Sequence, residues 1–151
     1  MKALAHQIPE YEIYCSFPGI GEQTAAQLLD ELGDINRFDN GNQLNADVGI
    51  DIRRYQSGSF TGQDHINKRG NPIAQKLLYF AVGNMIRQQH GHPNHIVDYY
   101  YRLKEKRPHP KMNKVAMVAC MNKTLKCLLS MTKHHNKYRY RYTESVVSVK
   151  A

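Results

Sequence analysis

Three observations predict an all-α fold for this 151-residue chain. Apolar residues recur at three- and four-residue spacing through several stretches. Gly, Pro and Asn-Gly signals separate those stretches. Early in the chain, Pro18-Gly19-Ile20-Gly21 forms a turn signal that opens directly onto one of them. The composition fits one soluble globular domain: hydrophobic residues make up 41% and charged residues 23%.

Residues 1–17 read as the end of an incoming segment broken at Pro9. Ala25, Leu28, Leu29 and Leu32 share one face of a helix over 22–32, and Gly33 stands where its C-cap belongs. Ile35 and Phe38 in the connector after it are placed against the core. Asn40-Gly41 is a turn, and 42–48 forms a short helix ended by Gly49. Residues 50–70 carry Gly58, Gly62 and Gly70 without a sustained period, and a loop of that length in a compact domain is functional or disordered. Pro72 suits a helix start. Ile73, Leu77, Phe80, Ala81 and Met85 mark an amphipathic helix over 71–89. Ile96, Tyr99, Tyr100 and Leu103 mark another over 95–106, with two tyrosines packed and one of Tyr99–Tyr101 facing out. Val115, Val118, Ala119, Leu125, Leu128 and Leu129 mark the last, over 112–131. Residues 133–151 read as a basic, loosely held tail.

Cys15, Cys120 and Cys127 form no CxxC pair and read as free thiols, the latter two as small buried hydrophobes. No apolar run is long enough to span a bilayer, and the N-terminus lacks a signal-peptide pattern. A cytoplasmic location follows as the expectation.

Charge is distributed unevenly. Residues 1–52 hold two basic and nine acidic side chains, a balance of −7. Residues 53–151 hold nineteen basic and four acidic, a balance of +15. Such asymmetry points to a polyanion-binding surface built by the later part of the chain. Binding of that kind falls steeply with salt, because each neutralised phosphate releases counterions.

A glycine-rich turn at a helix N-terminus aims backbone N–H groups outward with the helix dipole behind them. This is the physics of a helix-hairpin-helix element, which grips phosphate without reading sequence. A structural corner is the competing reading of Pro18, Gly19, Ile20 and Gly21, sharpened by their acidic neighbourhood.

Within 50–70, Ser57 and Ser59 flank Gly58, with Arg53, Arg54, Lys68 and Arg69 on either side. A serine hydroxyl is a weak nucleophile that needs activation or a polarised electrophile, and a phosphate diester among cations is one. Ordinary turn serines are the alternative. His90, His92 and His95 surround Pro93 but lack a Cys or carboxylate to complete a tetrahedral metal set, so they read as loop histidines. Tyr138-Arg139-Tyr140-Arg141-Tyr142 interleaves rings and cations, a composition suited to single-stranded nucleic acid or to a disordered basic tail.

The motifs PGIG, TAAQLLDELGDINRF, NQLNADVGI, QSG and INKRGN occur in that order, followed by a basic and apolar helical region. In this order and spacing the chain resembles the C-terminal transposase domain of the IS110 family of bacterial insertion-sequence transposases, named also for IS116 and IS902. The resemblance runs from about Tyr11 to Thr132. It implies a transposase domain over 1–132, with a helix-hairpin-helix-like part at about 11–49, a serine loop at 50–70 and a helical part at 71–132. It implies that Ser57 attacks DNA and becomes covalently joined to it, with Ser59 as runner-up. Pro18–Gly21, Arg53, Arg54, Lys68, Arg69 and Asn71 would contact nucleic acid.

The resemblance also implies an N-terminal RuvC-like domain whose four carboxylates hold divalent metal (magnesium), a guide RNA, and a homo-oligomer in the full-length protein at the bacterial nucleoid. This chain contains no such domain and no cofactor site of its own, so it is expected to be inactive alone. It reads as a single domain or as a truncated reading frame. Two departures stand out. Gln75 occupies a position where the family commonly has arginine, and Asp47 replaces an aromatic in the short helix. A non-catalytic nucleic-acid-binding module and a decayed transposase fragment are the alternatives.

Overall fold

The computed structural model describes residues 7–50, 56–57, 60–61, 70–105 and 109–140. Among them are six α-helices: α1 (Pro9–Ser16), α2 (Glu22–Leu32), α3 (Gly41–Val48), α4 (Pro72–Arg87), α5 (His95–Glu105) and α6 (Asn113–Lys133). A 3₁₀ turn at Ile35–Arg37 links α2 to α3. The fold is all-α, as the periodicity requires. Among the described residues the one extended feature is a two-residue antiparallel ladder, β1 (Gln56–Ser57) with β2 (Phe60–Thr61), inside what the sequence reads as loop.

Pro9 does not break an incoming segment; it opens α1. Proline costs nothing at a helix's first turn, where its missing N–H has no intrahelical partner to lose. Tyr11 and Tyr14, one turn apart, are both buried. The chain then turns over Phe17–Gly21 into α2. Gly19 has φ of +84°, and a Cβ there would stand 2.6 Å from Met85 Cγ and 2.7 Å from the Ala81 carbonyl oxygen. The turn is therefore seated against the later half of α4. At its far end α2 meets the start of α4, where Asn71 Nδ2 donates to Glu31 Oε2 at 2.9 Å. The two helices run antiparallel.

α6 is the central element and packs against α1, α3, α4, α5 and the 3₁₀ turn. It buries Ala116, Met117, Cys120, Met121, Thr124, Leu125, Leu128, Leu129 and Thr132, a 3-4 spacing that aligns one wide stripe. Leu125 and Leu128 are wholly buried, each contributing about 2 kcal/mol through removal of apolar surface from water. Thr124 avoids a polar penalty by donating to Cys120 O at 2.8 Å.

On α4 the buried face is Ala74, Leu78, Ala81, Val82 and Met85. Ile73 and Phe80 are 56% and 53% exposed, so the core faces one residue further along than the pattern Ile73–Leu77–Phe80 suggests. Both sets obey helical spacing, because α4 is apolar around most of its circumference. Packing chose between them. α6 shows the same shift, with Val115, Val118 and Ala119 only half-buried. The tyrosines divide as expected: Tyr99 and Tyr100 pack against the core and Tyr101 is exposed.

The loosely held tail expected from residue 133 is anchored as far as Tyr140. The backbone N–H of Tyr138 donates to Ser16 Oγ at 2.8 Å, and its ring lies 4.5 Å from that of Phe17. Tyr138 Oη takes the His95 backbone N–H and bonds His95 Nδ1, both at 2.9 Å. Tyr140 Oη donates to Asp98 Oδ2 at 2.8 Å. Aromatic rings within a basic segment found partners at the end of α1 (Ser16 and Phe17) and on α5 (His95 and Asp98), which local composition does not reveal. Residues 141–151, including Arg141 and Tyr142, lie outside the described residues.

Candidate functional site

The segment carrying Ser57 springs from a rigid base. At the end of α3 the Gly49 and Ile50 N–H groups both donate to Asn45 O, at 2.9 and 3.0 Å. Ile50 is wholly buried, and its carbonyl accepts from Asn122 Nδ2 on α6 at 2.6 Å. The returning strand is tied to the same place. The Asn71 N–H donates to Val48 O at 3.0 Å, and Gln75 Nε2 donates to that oxygen at 2.8 Å. Gly70 makes this approach feasible: a Cβ there would collide with the Val48 carbonyl and stand 2.5 Å from Gly49 Cα. Residues 50 and 70 thus leave and re-enter the helical body side by side. Between them, Ser57 pairs with Phe60 in the ladder, so only Gly58 and Ser59 separate the paired residues.

Asn71 is occupied by this scaffold. Its Oδ1 accepts from the Ile73 and Ala74 N–H groups at 3.1 and 3.0 Å, capping α4, while Nδ2 holds Glu31. The Asn-Pro dipeptide carries that signal: a capping side chain before a proline at the first helical position. Gln75 points at the loop base, where it offers a neutral donor to Val48 O. Asp47 is exposed and lies 3.5 Å from Arg37, so it opens no gap in the core. Asn45 contributes its backbone carbonyl to the base, but its side-chain amide is buried without a hydrogen-bond partner. Arg53, Arg54, Ser59, Lys68 and Arg69 lie outside the described residues.

The Pro18–Gly21 turn stands apart from this base. Gly21 is exposed and begins α2 with no side chain capping the first-turn N–H groups. Open space surrounds the position where its Cβ would be. Ile20 is buried and Gly19 is seated on α4, so the motif divides into two packing residues and one open amide corner. Glu31, beside Asn71, is ten residues along α2 from Gly21, a separation of about 15 Å at the helical rise. The structure does not bring the turn and the serine-loop base together.

Cations lie on several surfaces: Lys76 and Arg87 on α4, Arg102 and Lys104 on α5, and Lys114, Lys123, Lys126 and Lys133 on α6. Some are partly engaged by rings. Lys123 Nζ stands 4.3 Å from the Tyr99 centroid, and Arg87 stands 5.9 Å from that of Phe80. Lys137 pairs with Glu12 at 3.6 Å in an exposed contact of small energetic weight. Among the described residues no three His, Cys, Asp or Glu side chains converge as a metal site would require. None of the described helices is long and apolar enough to cross a membrane. Burial pushes the Cys120 thiol up to about 12, consistent with a packing residue, not a nucleophile.

A family model described as Transposase IS116/IS110/IS902 family matches residues 11–100. The chain belongs to this transposase family. The matched span runs from within α1 to the middle of α5 and therefore contains both the Pro18–Gly21 turn and the segment between Ile50 and Gly70. The chain is also similar to the transposase for insertion sequence element IS1111A of Coxiella burnetii (strain RSA 493 / Nine Mile phase I). The two are 29% identical over 139 residues, which is 92% of this chain and 37% of that protein. The chain thus spans little more than a third of the length of this curated relative.

Among the loop-base residues, Asn122 is the one that sequence reasoning missed, and the structural roles of Gln75 and Gly70 in tying the base were not foreseen. Asn122 is 72 residues from Ile50, and no local pattern announces the contact. Gly70 did carry a signal, since glycine beside a helix cap often marks close backbone approach.

Proposed function

We propose that this chain is the DNA-binding, nucleophile-bearing domain of an insertion-sequence transposase, with Ser57 as its nucleophile. The observation that carries the reading is the clamped base. It presents the QSG segment as one closed excursion from a helical body, pinned through Val48 O, Ile50 O and Asn71. Loops held on rigid scaffolds are where catalytic groups concentrate.

In the proposed reaction, Ser57 Oγ forms a bond to a DNA phosphorus and one phosphorus–oxygen bond to deoxyribose breaks. The serine proton is lost, and the freed sugar hydroxyl gains one. The phosphoserine linkage conserves the energy of the diester for rejoining. Arg53, Arg54, Lys68 and Arg69 would neutralise the phosphate, and the open amides at Gly21 would hold the backbone of the duplex at a second point. Divalent metal in a RuvC-like domain would supply the remaining charge stabilisation. On this reading the isolated chain binds nucleic acid and does not cleave it, and a guide RNA and a second protomer join in the full-length protein at the nucleoid.

The test joins this chain to a RuvC-like domain and supplies donor DNA and magnesium. Covalent protein–DNA adducts are isolated under denaturing conditions, digested and mapped by mass spectrometry. A nucleotide remnant on Ser57 is expected. A remnant on Ser59 reassigns the nucleophile, and adducts through neither residue overturn the reading.

The isolated chain supplies a second measurement. Fluorescence anisotropy with a labelled duplex should show affinity dropping by about 10³-fold or more from 50 to 200 mM salt if six or more phosphates are contacted. A flat salt response argues against the electrostatic surface.

A further inference from the structure

The end of α6 and the segment after it border an open cleft of about 660 Å³ that the serine chemistry does not use. Its volume lies in the range of small-ligand sites. Met131 and Tyr138 give it apolar lining, and Ser130 and Asn136 add hydrogen-bonding groups. Lys137, Arg139 and His135 line it with basic side chains. Glu12 contacts Lys137 at 3.6 Å, an exposed pairing that is readily given up.

His135 supplies a second, independent observation. It is the only non-glycine with positive φ among the described residues, at +52°. It stands just past the α6 C-cap, where its N–H donates to Thr132 O at 3.3 Å and the next N–H, of Asn136, donates to Met131 O at 2.9 Å. Glycine is the residue this capping geometry favours, because a Cβ is disfavoured there. The chain instead keeps an imidazole at that position, facing the cleft. The rings of Tyr138 and Tyr140 are packed on Phe17 and His95, so this segment does not offer the free stacking platform that its composition suggests. What it offers is an open cleft with a cationic wall.

We propose that this cleft binds one nucleoside phosphate, with the phosphate on Lys137 and Arg139 and the base over Met131. His135 and Asn136 meet the polar edge of the base. The choice of ligand rests on the nucleic-acid reading above, and the ligand could be a free nucleotide or one residue of a single strand.

The test uses the full chain at fixed salt with a fluorescein-labelled thymidine octanucleotide, a labelled duplex, and unlabelled adenosine monophosphate as competitor. The double variant Lys137→Gln/Arg139→Gln should weaken octanucleotide binding about tenfold or more, since two charge-assisted contacts are lost. The charge-matched pair Arg102→Gln/Lys104→Gln on α5 should weaken it about threefold or less. His135→Gly should raise the thermal midpoint by relieving the backbone and still weaken the octanucleotide. Displacement by adenosine monophosphate assigns the cleft to any nucleoside phosphate; displacement by unlabelled octanucleotide only assigns it to a strand. Equal losses in the two double variants, or wild-type affinity in His135→Gly, overturn the proposal. Duplex binding without octanucleotide binding overturns it while leaving the broader reading standing. Failure of every nucleic acid to bind overturns both.

Discussion

Strand transfer by a full-length transposase carrying Ser57→Ala is expected to fall on the order of 10³-fold or more, to the limit of detection. No other group at that position can form the covalent bond, and metal and cations merely stabilise charge around an attack that no longer happens. The fold should not notice. Ser57 belongs to a two-residue ladder and is not among the residues that α6 buries. Its substitution should change stability by no more than about 0.5 kcal/mol. Duplex affinity should also hold, because phosphate contacts come from cations and amides. Ser59→Ala is the paired control. If the Ser59 variant loses adducts and the Ser57 variant keeps them, the nucleophile is Ser59. If both variants keep them, the chain does not use serine chemistry. Circular dichroism and anisotropy on the same preparations separate loss of chemistry from loss of fold.

Gly19→Ala should be the most destabilising of the small changes in the Pro18–Gly21 turn. Two costs add at this residue. An L side chain at φ of +84° is disfavoured by about 1–2 kcal/mol. Its Cβ must also displace Met85 Cγ and the Ala81 carbonyl, and overpacking of that kind costs about 1–3 kcal/mol. Met85 can change rotamer, but the α4 backbone at Ala81 cannot yield without moving the helix. A total of about 3 kcal/mol lowers the thermal midpoint by roughly 6–12 °C in a domain of this size. Gly21→Ala, with open space around it, should cost less than about 1 kcal/mol. Thermal denaturation of the two variants decides between a turn fixed by packing and one kept free for phosphate. Equal midpoints would show that the turn is not seated on α4 in solution.

Local sequence chemistry determined much of this molecule. Gly33 and Gly49 cap their helices as their positions require. Pro72 opens α4 behind the Asn71 cap. The start of each long helix from α2 onward lies within one residue of where periodicity places it, because 3.6-residue spacing and capping are properties of contiguous residues. The order of short motifs named the family for the same reason: each motif is a local constraint legible in one dimension.

Tertiary structure decided what contiguous residues leave degenerate. α4 is apolar on several faces, so spacing alone offered Ile73 and Phe80 to the core beside Ala81 and Met85, whereas packing against α6 selected Ala74, Leu78 and Val82. Pro9 carries one meaning in a strand or loop and another at a helix start, and the burial of Tyr11 and Tyr14 chose the second. Tyr138 reads as part of a polar tail until Phe17 and His95 are brought beside it. The loop base depends on Asn122, Gln75 and Gly70 meeting one short stretch, Val48–Ile50, from three separate places in the chain. Hydrogen bonds of that range are fixed by how helices pack, and packing energy depends on which surfaces meet, not on which residues are neighbours along the backbone.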